Sequence, residues 1–169
     1  NNVWRMYYAD GHHSNLGQPN GTHGFSLQDY DLSRSGTSTD LDPPELLSIS
    51  VSPTTVGTGD QITLQVSAQD ASGLNYTSIH WTNPASNWVS MTCYFPDGAD
   101  TCTETRTVSD AAGWGISGDY EVIRVDLYDV NNVWRMYYAD GHHSNLGQPN
   151  GTHGFSLQDY DLSRSGTST

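Results

Sequence analysis

Two cysteines are the first residues in this sequence whose type and spacing could do chemistry. Cys93 and Cys102 are the only cysteines, and the segment between them includes Pro96-Asp97-Gly98. This spacing predicts cross-strand neighbours on one hairpin, formed by 88–95 and 101–108. An oxidising compartment would join such neighbours as a disulfide, and the alternative is a pair of free, buried thiols.

Oxygen-bearing side chains are the second candidate group. They fall in the N-terminal linker, in the loop after the second strand and around the last turn, which a β-sandwich brings to one end: Asp40, Asp42, Asp70, Asp126, Asp129 and Asn131. Crowded carboxylates repel each other, and a hard cation such as Ca²⁺ relieves that repulsion. The sequence therefore predicts a calcium site that fixes the angle between neighbouring units. The alternative is an acidic end that is only solvated and screened by salt.

Three Asn-x-Thr triplets are candidate glycosylation sites. Their asparagines are Asn20, Asn75 and Asn150. The triplets at Asn20 and Asn150 read Asn-Gly-Thr within a turn-rich segment, which predicts an exposed loop where sugar can be attached. Histidines of the same segment, at 142, 143 and 153, are expected to face water rather than to bind a transition metal.

The overall composition excludes several classes of protein. The net charge is −13, and every basic residue is an arginine, so chemistry that needs a lysine is excluded. We expect no nucleic-acid partner and no membrane insertion, because clustered positive charge and a long apolar run are both missing from the sequence. No enzyme motif is found, and we expect a protein that is not an enzyme. Abundant Ser, Thr, Gly, Asn and Asp favour an extracellular or cell-surface location.

An internal repeat organises the chain. Residues 1–39 and 131–169 are identical, so the sequence repeats with a period of about 130 residues. The repeat predicts a tandem array in which 1–39 is the C-terminal strand and linker of a preceding identical unit, and 40–169 is one complete unit. The alternative is a deliberately duplicated segment. We call 1–39 the first copy, 131–169 the second copy and 40–130 the body.

Alternating apolar and polar residues predict the strands that position these groups. On the predicted inward faces lie Leu47, Ile49 and Val51, then Ile62, Leu64, Val66 and Ala68, then Ile79 and Trp81, and finally Ile123, Val125 and Leu127. Seven predicted strands without a helical period indicate an all-β fold, an antiparallel β-sandwich with its core over 45–140. The remainder divides into an extra segment, 141–162, and a linker, 163–169. Within the extra segment we expect a loop and then a strand at 155–162, or one helical turn capped at Ser156.

Three stretches of the unit resemble a known family. They read PPELLSISVSPTTV, ITLQVSAQDASGL and GWGISGDYEVIRVDLYDVNNVWRMY. They are similar to the bacterial immunoglobulin-like repeat domains of large extracellular surface and adhesin-type proteins, over about residues 43–140. The resemblance implies an immunoglobulin-like sandwich displayed repetitively at the cell surface or outside the cell. The turn at 129–132 departs from the Gly-Asn pair frequent in that family, and 141–162 has no counterpart in it.

The leading functional hypothesis is a structural repeat unit of an extracellular fibre or cell-surface stalk, assembled head to tail, whose partners are copies of itself. The alternative is an adhesin or carbohydrate-binding module displayed on such a stalk, with surface glycans as partners. The strand VWRMYYA, at 3–9 and 133–139, carries the aromatic residues Trp4, Tyr7, Tyr8, Trp134, Tyr137 and Tyr138, and we call it the aromatic strand of each copy. It fits both hypotheses, because one face would be core while the other is a contact between units or a sugar platform.

The duplicated strand gives the most specific expectation. A short turn predicts that 133–139 pairs with 119–128. Residues 3–9 have the same sequence and need the same place, which is already taken, so they must complete a different unit. Their predicted contact residues are Val3, Trp4, Met6, Tyr7 and Tyr8. Neighbouring units would then be joined as one covalent array or by strand donation between separate chains.

Overall fold

The computed structural model describes residues 5–7, 12–15, 18–22, 40–111 and 113–166. The chain divides into two compact units, Asn1–Ser38 and Thr39–Thr169. In the first unit, three short strands form an antiparallel sheet in the order β1 (Arg5–Tyr7), β2 (His12–Asn15) and β3 (Gln18–Thr22).

The second unit is built almost entirely of strands, which run from β4 to β14. Their bounds are β4 Glu45–Ser52, β5 Thr55–Val56, β6 Gln61–Gln69, β7 Leu74–Thr82, β8 Trp88–Tyr94, β9 Thr101–Thr107, β10 Gly118–Asp129, β11 Trp134–Tyr138, β12 His142–Asn145, β13 Gln148–Thr152 and β14 Leu162–Arg164. A 3₁₀ helix, Leu157–Tyr160, precedes β14. The prediction of an all-β fold is confirmed.

Two antiparallel sheets share one hydrophobic core. The smaller has the order β4-β6-β9. In the larger, β10 pairs with β7 and β11, β7 also pairs with β8, and β12 and β13 extend the sheet beyond β11. The short β14 pairs with the first residues of β10 and, in parallel, with β5. Inward residues of both sheets, such as Leu64, Trp81 and Leu127, are almost fully buried in one cluster, as their alternation predicted.

Two β-bulges move residues away from their predicted faces. The register of β4 shifts between Leu46 and Ser48, so Leu46 is buried while Leu47 is 47% exposed. The register of β10 shifts between Val122 and Arg124, so Val122 is buried and Ile123 only half-buried. An extra residue in one strand reverses the alternation beyond it, so the predicted inward positions of Leu47 and Ile123 are wrong.

The predicted hairpin of 88–95 with 101–108 is wrong, although the bond between its cysteines is confirmed. β8 pairs with β7 and β9 pairs with β6, so the two strands belong to different sheets. The Cys93–Cys102 disulfide, with Cα atoms 6.0 Å apart, therefore links the two sheets. The strands alternate in the same way whether their connection turns back within a sheet or crosses between sheets, so the sequence pattern could not distinguish the two.

The segment 141–154 is a hairpin and not the loop that we predicted. β12 and β13 pair across a two-residue turn in which Leu146 (φ 49°) and Gly147 (φ 78°) both have positive φ, as a type I′ turn requires. The helical turn, the alternative for 155–162, is correct, because a 3₁₀ helix inserts Leu157 into the core, but the side chain of Ser156 makes no capping hydrogen bond. The strand is wrong except at Leu162, where β14 begins. His153 also departs from its predicted place in water, since its Nε2 lies 2.8 Å from the carbonyl oxygen of Tyr138.

Candidate functional site

The candidate site is the surface of the body that receives the second copy. β11 is the first element of that copy, and it pairs with β10 from Arg124 opposite Tyr138 to Tyr128 opposite Trp134. The predicted pairing of 133–139 with 119–128 is thus confirmed. Because β7 pairs with β10 as well, the second copy extends a sheet that the body has begun.

Tyr137 carries the second copy into the core. Its ring is 3% exposed and packs edge-on against Phe155, with ring centroids 5.7 Å apart, and against His153 at 5.4 Å. Its hydroxyl oxygen accepts a hydrogen bond of 2.8 Å from the backbone N–H of Leu46 on β4. This single side chain therefore joins the second copy to the opposite sheet of the body.

The 3₁₀ helix and the start of β14 make the next set of contacts. Leu157 and Leu162 are 0% and 2% exposed within the shared core. The indole N–H of Trp81 donates to the carbonyl oxygen of Tyr160 at 2.9 Å, and the Tyr160 hydroxyl donates to the carbonyl oxygen of Ile49 at 2.7 Å. The segment that follows the hairpin is therefore bound to both sheets of the body.

Arg164 closes the contact at the far end of the copy. It is 3% exposed, and its Nη2 lies 2.5 Å from Asp110 Oδ1 and 2.8 Å from Thr58 Oγ1. Hydrogen bonds from Thr58 and then Arg164 hold the pKa of the Asp110 carboxyl below its usual value. A buried guanidinium needs such a partner, so Arg164 fixes β14 against the loops of the body.

Sequence reasoning missed these anchors, although a signal for them was present. The segment FSLQDYDLSR repeats with the aromatic strand in both copies and spaces its apolar residues as Phe, Leu, Tyr and Leu. Identical repetition over the whole copy indicates one folded element, whereas we predicted a loop, then a strand or a helical turn at 155–162, and a linker at 163–169. Arg164 was hidden because it lies in the stretch of small polar residues that we predicted as the linker.

The outward face of the larger sheet carries a row of four aromatic rings. Neighbouring strands place Tyr94, Tyr76, Tyr128 and Trp134 side by side, with successive ring centroids 5.8, 4.5 and 6.1 Å apart. The last two pairs are stacked, with ring planes 14° and 26° apart, so each of these rings turns a face towards its neighbour. Burial, followed by the proximity of Tyr76 and Asp126, raises the pKa of Tyr128.

Asp126 lies beside this row and is held by its own sheet. It is 4% exposed, with His80 Nε2 3.1 Å from Oδ2 and Arg124 Nε 2.8 Å from Oδ1. The Nε contact is an ion pair without hydrogen-bond geometry, whereas Arg124 Nη2 donates to Oδ2 at 3.1 Å. The guanidinium also covers the ring of Trp88, 5.1 Å from its centroid. The charge of Asp126 is thus balanced by Arg124 on the same face of the sheet.

The predicted calcium ligands are only partly brought together. Asp40, Asp42 and Asp70 line one cavity of about 390 Å³ with Glu45. Asp129 is fully buried, and its two oxygens accept from Val133 N–H at 2.6 Å and from Ser72 Oγ at 3.0 Å. Asn131 is exposed in the adjoining turn. Among the described residues, no three His, Cys, Asp or Glu side chains form a group that could hold a metal ion. The calcium site stays a prediction.

The predicted glycosylation sites differ in their surroundings. Asn75 is exposed on β7, while Thr77 of its triplet is fully buried and donates to the carbonyl oxygen of Asp126. All residues of β13 are exposed, so Asn150 lies on an accessible edge strand rather than in the predicted loop. Asn20 falls in β3.

The predicted contact residues of the first copy are described only in part. Met6 and Tyr7 lie in β1, while Val3, Trp4 and Tyr8 fall outside the described residues. Over the part of the first copy that the structure describes, β1 pairs with β2 and stands at the edge of its sheet.

Comparisons with known proteins give few matches. No protein-family model matches the chain, and no curated protein matches it. Cwp6 from Clostridium difficile is a solved structure that it resembles, with 10% sequence identity and a TM-score of 0.48 over 70% of this chain and 17% of that one. No described helix is long and apolar enough to cross a membrane. We therefore base the functional proposal on the residues of this chain.

Proposed function

We propose that residues 40–169 are a structural repeat unit of an extracellular fibre or cell-surface stalk, in which immunoglobulin-like sandwiches follow one another head to tail. One observation carries the proposal. The segment that repeats without a single difference is built into the fold, because it supplies β11 to β14 and buries Tyr137, Leu157 and Leu162. A repeated segment that is part of a core implies repeated cores.

Other features support the same reading. Two antiparallel sheets around one core, joined by a disulfide between β8 and β9, fit an immunoglobulin-like sandwich and an oxidising location outside the cell. A net charge of −13 gives repulsion between units that keeps an array extended and soluble. Pro149 and sugar on Asn150 would protect the exposed edge strand β13 from pairing with other sheets.

Chains of increasing repeat number test this function. We would prepare proteins with one, two and four repeat units and compare their maximum dimension by small-angle X-ray scattering. A head-to-tail stalk predicts a dimension that rises linearly with the number of units, and negative-stain images of native material should show a spacing of one unit. Compact particles, with a dimension that rises only as the cube root of mass, would contradict the proposal.

A carbohydrate-binding module is the second candidate, and two exposed rings favour it. Trp88 and Tyr94 are 59% and 71% exposed on the outward face, where an aromatic ring can stack on a sugar. Tyr76, Tyr128 and Trp134 stack on one another, which leaves fewer ring faces open to a sugar in the rest of the row. A glycan array with the single unit, and with its W88A/Y94A variant as control, separates the candidates. Binding that the variant loses would favour the carbohydrate module.

A further inference from the structure

We infer that the body is an incomplete sandwich that any copy of the repeated segment can complete, and that the first copy completes the body of a second copy of this unit. This inference deepens the proposed function and rests on it only for the head-to-tail arrangement in the assembled fibre. The occupant is specified by the chain itself, because the same sequence is seen bound to the body in the second copy.

The contacts between the second copy and the body show what the body lacks without it. β10 would have an unpaired edge over the residues that now pair with β11. The core would lose Tyr137, Leu157 and Leu162, each of them 3% exposed or less. Two main-chain groups of β4, the Leu46 N–H and the Ile49 carbonyl, would lose their tyrosine partners. Open cores and unpaired buried polar groups are costly, so the body needs an occupant.

Over residues 5–7, 12–15 and 18–22, the first copy has the strand pairing that this occupant requires. β1 pairs with β2 in the register of β11 with β12, with Arg5 opposite Asn15 as Arg135 is opposite Asn145. β2 and β3 likewise repeat the pairing of β12 with β13. The described strands of the first copy therefore form a sheet whose edge, β1, corresponds to the strand that pairs with β10 in the second copy.

Two identical segments in one chain then have a single body between them. The second copy occupies that body, so the first copy is left to bind the body of another unit, either in the same polypeptide or in a separate chain. The first copy can also reach the body that follows it. If the first copy takes the place of the second, the linker between Arg34 and Glu45 must run along the length of β4. That linker spans at most about 35 Å, which is enough because β4 is about 26 Å long.

Matched substitutions in the full chain test whether the copies are interchangeable. The first variant, L157D/L162D, places two carboxylates in the core positions of the second copy. The second variant, L27D/L32D, makes the same changes at the identical positions of the first copy. A third variant carries all four substitutions. Thermal unfolding, light scattering after gel filtration and limited proteolysis with mass spectrometry would be compared with those of the unchanged chain.

The inference predicts a specific set of results. L27D/L32D should unfold like the unchanged chain, and the variant with all four substitutions should lose its cooperative transition. L157D/L162D should keep a cooperative transition, because the first copy replaces the second. Proteolysis should then protect 1–39 and cleave 131–169, and a swapped dimer or a monomer would both support the inference. If L157D/L162D unfolds like the fourfold variant, or if the fourfold variant still folds, the inference is wrong.

The outcome can be separated from that of the proposed function. Interchange of copies in a single chain does not depend on whether longer chains form a stalk. If copies do not interchange but multi-unit chains extend linearly, the proposed head-to-tail array is supported and each unit is completed only by its own segment. If copies interchange but multi-unit chains are compact, the inference that the repeated segment completes the body is supported and the proposed stalk is contradicted. Boiling native fibres in SDS then distinguishes a covalent array, which stays large, from strand donation, which releases single subunits.

Discussion

The two copies of the repeated segment share most of their described strand pairs, and for the second copy the structure also describes its contacts with the body. In both copies, the arginine of the aromatic strand faces an asparagine, and the following hairpin shares three pairs, 12–22, 14–19 and 15–18 in the first copy and 142–152, 144–149 and 145–148 in the second. Of the two aromatic strands, β1 and β11, only β11 is described with a partner from outside its own copy, the strand β10. The hairpin is therefore a local property of the repeated segment, whereas burial of Tyr137 is a property of the body on which that segment packs.

The largest expected effect comes from the tyrosine that reaches the core. Y137A removes a ring that is 3% exposed and the hydrogen bond from Leu46, so we expect unfolding free energy to fall by about 3–5 kcal/mol. The control is Y7A, the same change in the first copy, which should leave the stability of the second unit unchanged. Urea denaturation of both variants measures the difference, and equal losses would contradict the comparison.

Loss of the disulfide should have the next largest effect. Cys93 and Cys102 close a short loop within the body and hold together the sheets between which the second copy is bound. Replacing both by alanine should cost roughly 3 kcal/mol by relaxing the unfolded chain. The measurement is thermal unfolding of the variant beside that of the unchanged protein with and without reductant. Reductant should lower the Tm of the unchanged protein only. A lower Tm of the variant in reductant would show that the reductant acts on something other than this disulfide.

The turn that leads into β11 is expected to contribute less. Asp129 is fully buried and accepts the Val133 N–H at 2.6 Å, so D129A leaves that donor without its partner and should cost about 2 kcal/mol. D129N keeps an oxygen acceptor and serves as the matched control. Hydrogen exchange at Val133 should become faster in D129A and change little in D129N. Equal protection in both variants would show that the carboxylate does not hold the turn.

Arg164 gives a smaller effect with a distinctive pH dependence. Thr58 and Arg164 lower the pKa of Asp110 from its ordinary 3.8, so the folded state favours the charged carboxylate. That stabilisation is present above pH 3.8 and is lost as the pH falls through the lower, folded pKa. R164Q should therefore lower Tm at pH 7, and its difference from the unchanged protein should shrink below pH 3.8. R34Q in the first copy should not change Tm at any pH, and a shift as large as that of R164Q would contradict the comparison.

Calcium should give the smallest effect, at the linker between the first copy and the body. Asp40, Asp42 and Asp70 share a cavity there, and an extracellular-type site with Kd of about 1 mM would add about 1 kcal/mol at about 5 mM calcium. Tm would be compared in EDTA and in calcium, with D40N/D42N as the control. An unchanged Tm would show that calcium does not bind at this linker.

Particular residues show how far the sequence leads. Alternation placed Ile62, Leu64 and Trp81 in the core because a strand turns successive side chains to opposite faces. It misplaced Leu47 and Ile123 because each lies at a bulge, which depends on packing against the partner strand. The disulfide was predictable from cysteine number and spacing, but the sheets it joins were not. The carboxylates of Asp126 and Asp129 were predicted as ligands, while the structure gives them partners within the fold.

The sequence by itself determined the repeat of 1–39 at 131–169 and the β class of the fold, because identity and alternation can be read directly along the chain. The hairpin of each copy is also local, but its turn residues were interpreted as a loop. Only the tertiary structure decided that β8 and β9 belong to different sheets and that Arg164 reaches Asp110. Those outcomes depend on contacts between residues far apart in the chain, whose energies are set by the shape of the shared core. The strand pairs within each copy are local, whereas the pairing of β11 with β10 depends on the body.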